Sequence, residues 1–171
     1  MVRLAIVFFL LFGALAARAD SMSFPIDLEA MDLEFGDLTV TRIYDGRDPK
    51  KGPFWAVEIA KNGVLISRIA GAGFDDYAIS AGGSILVGLS NGGYPDTAYM
   101  VIDASGRLLL FKRHLLEMSQ YCEFTVSAVR KWYDGESPDI QFTDIGSEDA
   151  ESITEFSVAG CGEERIYVRL R

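Results

Sequence analysis

Alternation of apolar and polar residues is the dominant pattern of this chain. It is clearest over residues 166–171, 124–128 and 55–59, and a period of two is the signature of a β-strand with one buried face. Two other runs, residues 85–87 and 108–111, are apolar at every position. Such runs are typical of central strands that are covered on both faces. The pattern therefore predicts a β-protein.

Short turn motifs separate the predicted strands. Asn62-Gly63 stands between two apolar stretches, and a type I′ hairpin favours this dipeptide because both central residues need a positive φ. Residues 81–83 and 104–106 contain glycine and fit longer hairpin loops. The candidate strands lie near 39–45, 54–61, 64–70, 76–80, 85–90, 97–103, 107–113, 123–131, 140–144, 153–159 and 165–170.

The segment 74–113 has a regular rhythm of short apolar stretches and glycine turns. In this it resembles one blade of a β-propeller. A closed propeller needs at least four blades of about 40–50 residues each, and this chain is too short for that. We interpret the segment as a four-stranded antiparallel meander. The whole fold is predicted to be all-β, an antiparallel sandwich or open barrel-like meander of about ten strands.

Two segments are candidates for short helices. Residues 23–25 (Ser-Phe-Pro) suit a helix start, but the residues from Ile26 to Phe35 then alternate as in a strand. The better candidate is 114–121, where apolar residues stand among good helix formers.

The first nineteen residues have the three-part layout of a cleavable secretory signal. Arg3 precedes an apolar run over residues 4–15, and Ala17-Arg18-Ala19 places small residues at the cleavage site. A membrane anchor is the alternative, but a spanning helix needs about 20 apolar residues. We predict a signal peptide over residues 1–19 and a single β-domain over 20–171. The mature protein would be periplasmic or secreted, without membrane insertion.

Acidic residues outnumber basic ones, 25 against 16. The predicted cleavage removes Arg3 and Arg18 but no acid, which leaves 14 bases against 25 acids and a net charge of −11. Such a chain repels nucleic acid and anionic lipid surfaces, and it attracts basic proteins or divalent cations. High solubility alone is the plainer explanation of the charge.

Two cysteines, Cys122 and Cys161, are present. In an oxidising compartment an isolated pair predicts one disulfide. A catalytic or metal-binding thiol is the alternative, but there is no Cys-x-x-Cys motif and His114 is the sole histidine. We predict no cofactor and no metal site, and His114 is interpreted as a surface or cap residue.

Residues 88–92 (Gly-Leu-Ser-Asn-Gly) match the nucleophile motif of α/β-hydrolases. Ser90 would be the nucleophile, with Asp96 or Asp103 and then His114 following in the expected order. The motif requires a helix directly after the serine, and Gly-Gly-Tyr-Pro at 92–95 is a poor helix start. A glycine-rich hairpin or loop is therefore favoured over a catalytic Ser90.

The acids are segregated along the chain. Ten lie between Asp134 and Glu164 and six between Asp20 and Asp37, with no Lys or Arg in either stretch. Three interpretations remain open: a solvated loop, a face for a basic protein partner, and a Ca²⁺ site built from carboxylates. The candidate interface acids are Glu148, Asp149 and Glu151.

Three aromatic residues are further candidates for an interface. Trp132 and Tyr133 precede an Asp-Gly turn, where such a pair usually packs at the end of a sheet; if exposed, they would anchor a partner. Tyr94 lies in a glycine-rich loop that is suited to contact.

The sequence leaves several functions open. The first is a non-enzymatic binding protein with an acidic face for a basic partner, and an inhibitor or immunity-type protein is one form of it. The alternatives are a serine hydrolase that uses Ser90 and His114, and a structural envelope protein. The pattern predicts no oligomeric state.

Overall fold

The computed structural model describes residues 26–48, 50, 54–91, 97–113, 121–124, 130–133, 138–144, 153–161 and 164–170. These residues form β-strands and connections, with no helix among them. The predicted all-β class is therefore confirmed. The predicted signal peptide lies outside the described residues, as does all of the predicted helix 114–121 except Tyr121.

Eight strands form two antiparallel meanders. The first sheet has the order β1 (Leu28–Phe35), β2 (Leu38–Asp45), β3 (Phe54–Lys61) and β4 (Val64–Ala70). The central sheet has the order β5 (Asp76–Ile79), β6 (Ile85–Leu89), β7 (Tyr99–Asp103) and β8 (Leu108–Lys112). The central sheet is the four-stranded meander that the sequence predicts over 74–113.

Five further strands lie in the described residues. A pair is made by β9 (Glu123–Phe124) and β10 (Arg130–Lys131), and the third sheet has the order β11 (Ile140–Asp144), β12 (Ile153–Ala159) and β13 (Arg165–Arg169). The prediction of one strand over 123–131 is wrong, because β9 and β10 pair antiparallel with each other. Period-two alternation does not report a chain reversal when no glycine or proline marks it.

The central sheet is covered on both faces. Met100 and Ile102 of β7 pack with residues of the first sheet, whereas Tyr99 and Val101 pack with residues of the third sheet and with Trp132. Strand β6 is buried at every position, as its uninterrupted apolar run predicts. The same prediction is wrong for residues 108–111, because they form β8, which is a partly buried edge strand. The architecture thus has three layers rather than the two of a simple sandwich.

Local turn chemistry fixes the register of the hairpins. Asn62 and Gly63 both have positive φ, 51° and 77°, which is the predicted type I′ geometry. Gly88 in β6 has a different role, since a Cβ added there would lie 2.9 Å from the Cγ of Phe74. The ring of Phe74 therefore packs directly on the backbone at Gly88, within the core between the first and central sheets. A larger residue at position 88 would clash with this ring.

Candidate functional site

Ser90, Trp132 and Tyr133, which the sequence singles out for separate reasons, meet at one end of the central sheet. Ser90 directly follows β6 and the two aromatic residues directly follow β10. All three have relative exposures of 0%. The indole Nε1 of Trp132 donates a hydrogen bond to the carbonyl oxygen of Ser90, with a donor–acceptor distance of 2.8 Å. We call this group the junction.

The hydroxyl of Ser90 is used within the junction. It donates to Oδ2 of Asp75 at 2.8 Å, while the other oxygen of that carboxylate accepts from Arg42 at 3.1 Å. The amide of Ser90 donates to the carbonyl of Ala98. A nucleophile must reach its substrate, and Ser90 has no accessible surface. Its geometry is that of a structural hydroxyl.

Of the proposed triad partners, Asp103 is the one that the structure describes, and it does not lie near Ser90. Asp103 is paired with Ile85 at the opposite end of β6 from Ser90, and its carboxylate binds Ser105 and Arg107 of the β7–β8 turn. His114 and Asp96 lie outside the described residues. The hydrolase hypothesis therefore receives no geometric support from the described part of the chain.

Trp132 and Tyr133 are core residues. The Tyr133 hydroxyl donates to Oδ2 of Asp76 at 2.7 Å, and the side chain of Asn91 binds both the Trp132 amide and the Tyr133 carbonyl. Burial raises the pKa of Tyr133 above its ordinary value, and the hydrogen bond to Asp76 raises it further. The prediction that either ring anchors an interface is corrected: both fill the layer beneath the third sheet.

Replacing Ser90 with alanine is expected to lower the free energy of unfolding by about 1 kcal/mol, because the Asp75 carboxylate loses one donor and keeps Arg42. Urea denaturation measures this loss. Ser105→Ala is the matched control, because the hydroxyl of Ser105 also donates to an aspartate but is exposed. Its removal should lower the free energy of unfolding by less. Labelling of the wild-type protein, but not of Ser90→Ala, by a fluorophosphonate would contradict the structural role.

The second candidate surface is acidic and lies on the first sheet. Five exposed acids occupy β1 and its flanks: Asp27, Glu29, Asp32, Glu34 and Asp37. We call this group the β1 carboxylates. Among the described residues, the base that pairs with them is Lys61, whose Nζ lies 2.6 Å from Asp37. That contact chiefly holds the pKa of Asp37 below its ordinary value.

The two central β1 carboxylates are positioned by threonines of the next strand. Thr41 donates to Asp32 at 2.7 Å and Thr39 donates to Glu34 at 3.4 Å. Each threonine is the direct cross-strand neighbour of the acid that it contacts. The hydroxyls orient the carboxylates without neutralising them, so the negative charge stays available at the surface.

The other end of β1 is negative as well. Tyr44 is buried, and burial raises the pKa of its phenol; Glu29, Asp27 and Asp45 raise it further through their charges. Asp45 differs from the β1 carboxylates because Arg47 binds it and lowers its pKa to about 2. The negative potential at this end therefore comes mainly from β1 and the residue before it.

Two acids in or directly beside the third sheet have basic partners. Asp139 is bound by Arg165, and Glu155 lies 3.6 Å from Arg169 on the neighbouring strand. The predicted interface residues Tyr94, Glu148, Asp149 and Glu151 lie outside the described residues. Of the two acid-rich stretches in the sequence, the N-terminal one provides the described, largely unneutralised surface.

The predicted disulfide between Cys122 and Cys161 is present. It joins Cys122, directly before β9, to Cys161, two residues after β12. The Sγ of Cys161 lies 3.7 Å from the carbonyl oxygen of Trp132. The bond therefore fastens the segment that carries the junction aromatics to the third sheet. A disulfide is compatible with an oxidising extracellular or periplasmic location.

The described residues contain no cluster of three or more metal-type ligands. No helix within them is long and apolar enough to cross a bilayer. Comparison with known proteins found no matching family model, no matching curated protein and no matching solved structure.

Proposed function

We propose that this chain is a non-enzymatic binding protein of the periplasm or extracellular space, and that the β1 carboxylates hold a basic protein partner. The supporting observation is the set of five exposed acids on one edge of the first sheet, with Lys61 as their described counter-charge. Carboxylates without basic neighbours favour a partner that brings its own positive charge.

The scaffold supports this role. Glu34 and Asp32 alternate with the buried residues Leu33 and Phe35, so the acidic strand is anchored by the core between the first and central sheets. A rigid platform lowers the ordering cost of binding. By contrast, the junction around Ser90 is buried and offers no comparable surface.

Complementary charge acts mainly on the rate of encounter and on specificity. Exposed charges are screened beyond about 8 Å at physiological ionic strength. Binding at the β1 carboxylates should therefore weaken steadily as salt is added. A partner held by buried apolar contacts would show a much smaller dependence.

The proposal is tested with the oxidised, secreted protein immobilised on a support. Envelope and secreted proteins are applied at low salt and eluted with a salt gradient, and the retained protein is purified and titrated directly. Asp32→Asn/Glu34→Gln is expected to weaken its binding about tenfold, because two close charge pairs are lost. Asp144→Asn/Glu155→Gln removes two acids from the third sheet and serves as the control.

Equal binding by the wild-type protein and by Asp32→Asn/Glu34→Gln would contradict the proposal. A larger loss in the control variant would move the surface to the third sheet. If no basic protein is retained above background, the acidic face contributes solubility alone, and the binding function is rejected.

A further inference from the structure

Strand β1 is an open edge of the first sheet. It pairs with β2 over its whole length, Leu28–Phe35, and with no other strand in the part of the chain that the structure describes. An open edge carries a row of unpaired N–H and C=O groups that can accept a further strand. The edge is eight residues long, which is long enough for strand addition.

The register shows which backbone groups are free. Phe35 and Leu38 flank the two-residue β1–β2 turn and form its closing hydrogen-bonded pair; in an antiparallel ladder such pairs then recur at every second residue. The bond from the Gly46 amide to the Asp27 carbonyl, 2.8 Å, follows the same parity. The groups that face away from β2 are therefore those of Leu28, Ala30, Asp32 and Glu34.

The side chains of the same four residues are all exposed. On the face that carries these four side chains, Asp32 and Glu34 make one half of the edge acidic, while Leu28, with a relative exposure of 51%, makes the other half apolar. On the opposite face, Leu33 and Phe35 are buried and Met31 packs against the core cluster, whereas Glu29 is exposed. On the face of Leu28, Ala30, Asp32 and Glu34, an incoming strand would thus meet charge at one end and apolar surface at the other.

We propose that the β1 edge binds an extended basic segment of the partner protein as a fifth, antiparallel strand of the first sheet. Lysine or arginine side chains of the segment lie opposite Glu34 and Asp32, and apolar side chains lie opposite Ala30 and Leu28. The intervening residues of the bound segment place their side chains on the opposite face and extend the apolar layer over Met31. This inference rests on the proposed function and specifies its partner.

Charge selects this occupant over a second copy of the chain. A second β1 would bring its own Asp32 and Glu34 to the same edge, and like charges on neighbouring strands are destabilising. Opposite charges at such positions are favourable, by about 0.2–1 kcal/mol for each pair. The strand-addition mode itself derives its affinity from main-chain hydrogen bonds and its specificity from alternate side chains.

The other open edge of the sheet has different chemistry. Strand β4 exposes Val64, Leu65 and Ile66, and its charged residue Arg68 lies over the Phe54 ring and beside Glu58. This edge offers no free acid to a basic segment. It therefore provides an internal control for binding at β1.

The test uses two synthetic eight-residue peptides with the same composition and the same uncharged solubilising tail. One has lysines at its first and third positions with apolar residues elsewhere; the other has the two lysines adjacent. Only the first places both lysines on one face of an antiparallel strand, because side chains alternate. It should bind about fivefold more tightly, since the second loses a charge pair and part of its register.

A protein variant separates main-chain pairing from charge. Ala30→Pro removes an edge N–H without altering any charge, and proline is tolerated on an edge strand when its nitrogen faces solvent. It should weaken binding of the alternating peptide by about tenfold. Leu65→Pro on the β4 edge is the control and should leave binding unchanged. An alternating peptide that is N-methylated on its β1-facing amides tests the same bonds in the unaltered protein.

The outcomes distinguish the two proposals. If both peptides bind equally and neither Ala30→Pro nor N-methylation weakens binding, strand addition is overturned while the acidic surface stands. If the alternating peptide binds both Asp32→Asn/Glu34→Gln and Ala30→Pro about tenfold more weakly than the wild type, both proposals are supported. If neither peptide binds at low salt, the strand-addition proposal is overturned, and the proposed function rests on the titration of the retained protein alone.

Discussion

Replacing Trp132 with alanine is expected to lower the free energy of unfolding by about 3–5 kcal/mol, the usual cost of removing a large buried aromatic side chain. The ring is fully buried between the central and third sheets, and it lies 5.1 Å from the ring of Tyr133 between centroids. The substitution also removes the donor to the Ser90 carbonyl. Since domain stabilities are about 5–15 kcal/mol, the variant should be close to unfolding.

Urea denaturation followed by far-ultraviolet circular dichroism measures this loss. Trp55→Ala is the matched control, because Trp55 is only partly buried and its indole N–H has no hydrogen-bond partner among the described residues. Replacing Trp55 should lower the free energy of unfolding clearly less than replacing Trp132 does. A Trp132→Ala variant as stable as the wild type would show that the ring is not a core element, and would reopen its assignment to an interface.

Removal of the disulfide is expected to have the second-largest effect. The bond joins two residues separated by 39 positions, and constraining the unfolded chain over such a loop stabilises a protein by about 2–4 kcal/mol. Cys122→Ser/Cys161→Ser should therefore unfold at a lower urea concentration. The loss should be concentrated in the third sheet and the junction, which the bond fastens together.

Reducing agent provides the control for this prediction. It should destabilise the wild-type protein and leave the double serine variant unchanged, since that variant has no thiol left to respond. If reduction leaves the wild-type unfolding transition in place, the bond does not contribute to stability. Retained binding of the basic peptide by the folded variant is expected, because β1 lies in the first sheet.

Much of the fold could be predicted from local pattern. The Asn62-Gly63 turn, the fully apolar β6 and the meander over 74–113 each follow from residue types at fixed spacing. The three-layer arrangement could not be predicted this way. It depends on which face of each strand meets which sheet, and that is decided by long-range packing such as the contact of Phe74 with Gly88.

The candidate site shows the same division. The sequence identifies Ser90, Trp132 and the acidic stretches, but it does not show that the first two share a buried hydrogen-bonded junction. Arg42, Asp75 and Asp76 also bond to this group but belong to no chemical motif, and Asn91 lies in the motif at 88–92 without a role that the motif assigns to it. The sequence also shows how many acids each stretch contains, but not which of them lie opposite a basic residue on a neighbouring strand. Glu155 and Arg169 belong to different strands and are paired in the sheet.

The most direct test of the acidic β1 edge as the binding surface is amide hydrogen exchange, resolved by residue, with and without a saturating amount of the alternating basic peptide. Amides that gain a partner exchange more slowly. We predict slower exchange at Leu28, Ala30, Asp32 and Glu34, and little change at the alternate residues, which already bond to β2. Saturated binding without protection at these four amides, or with protection along β4 instead, would contradict the account.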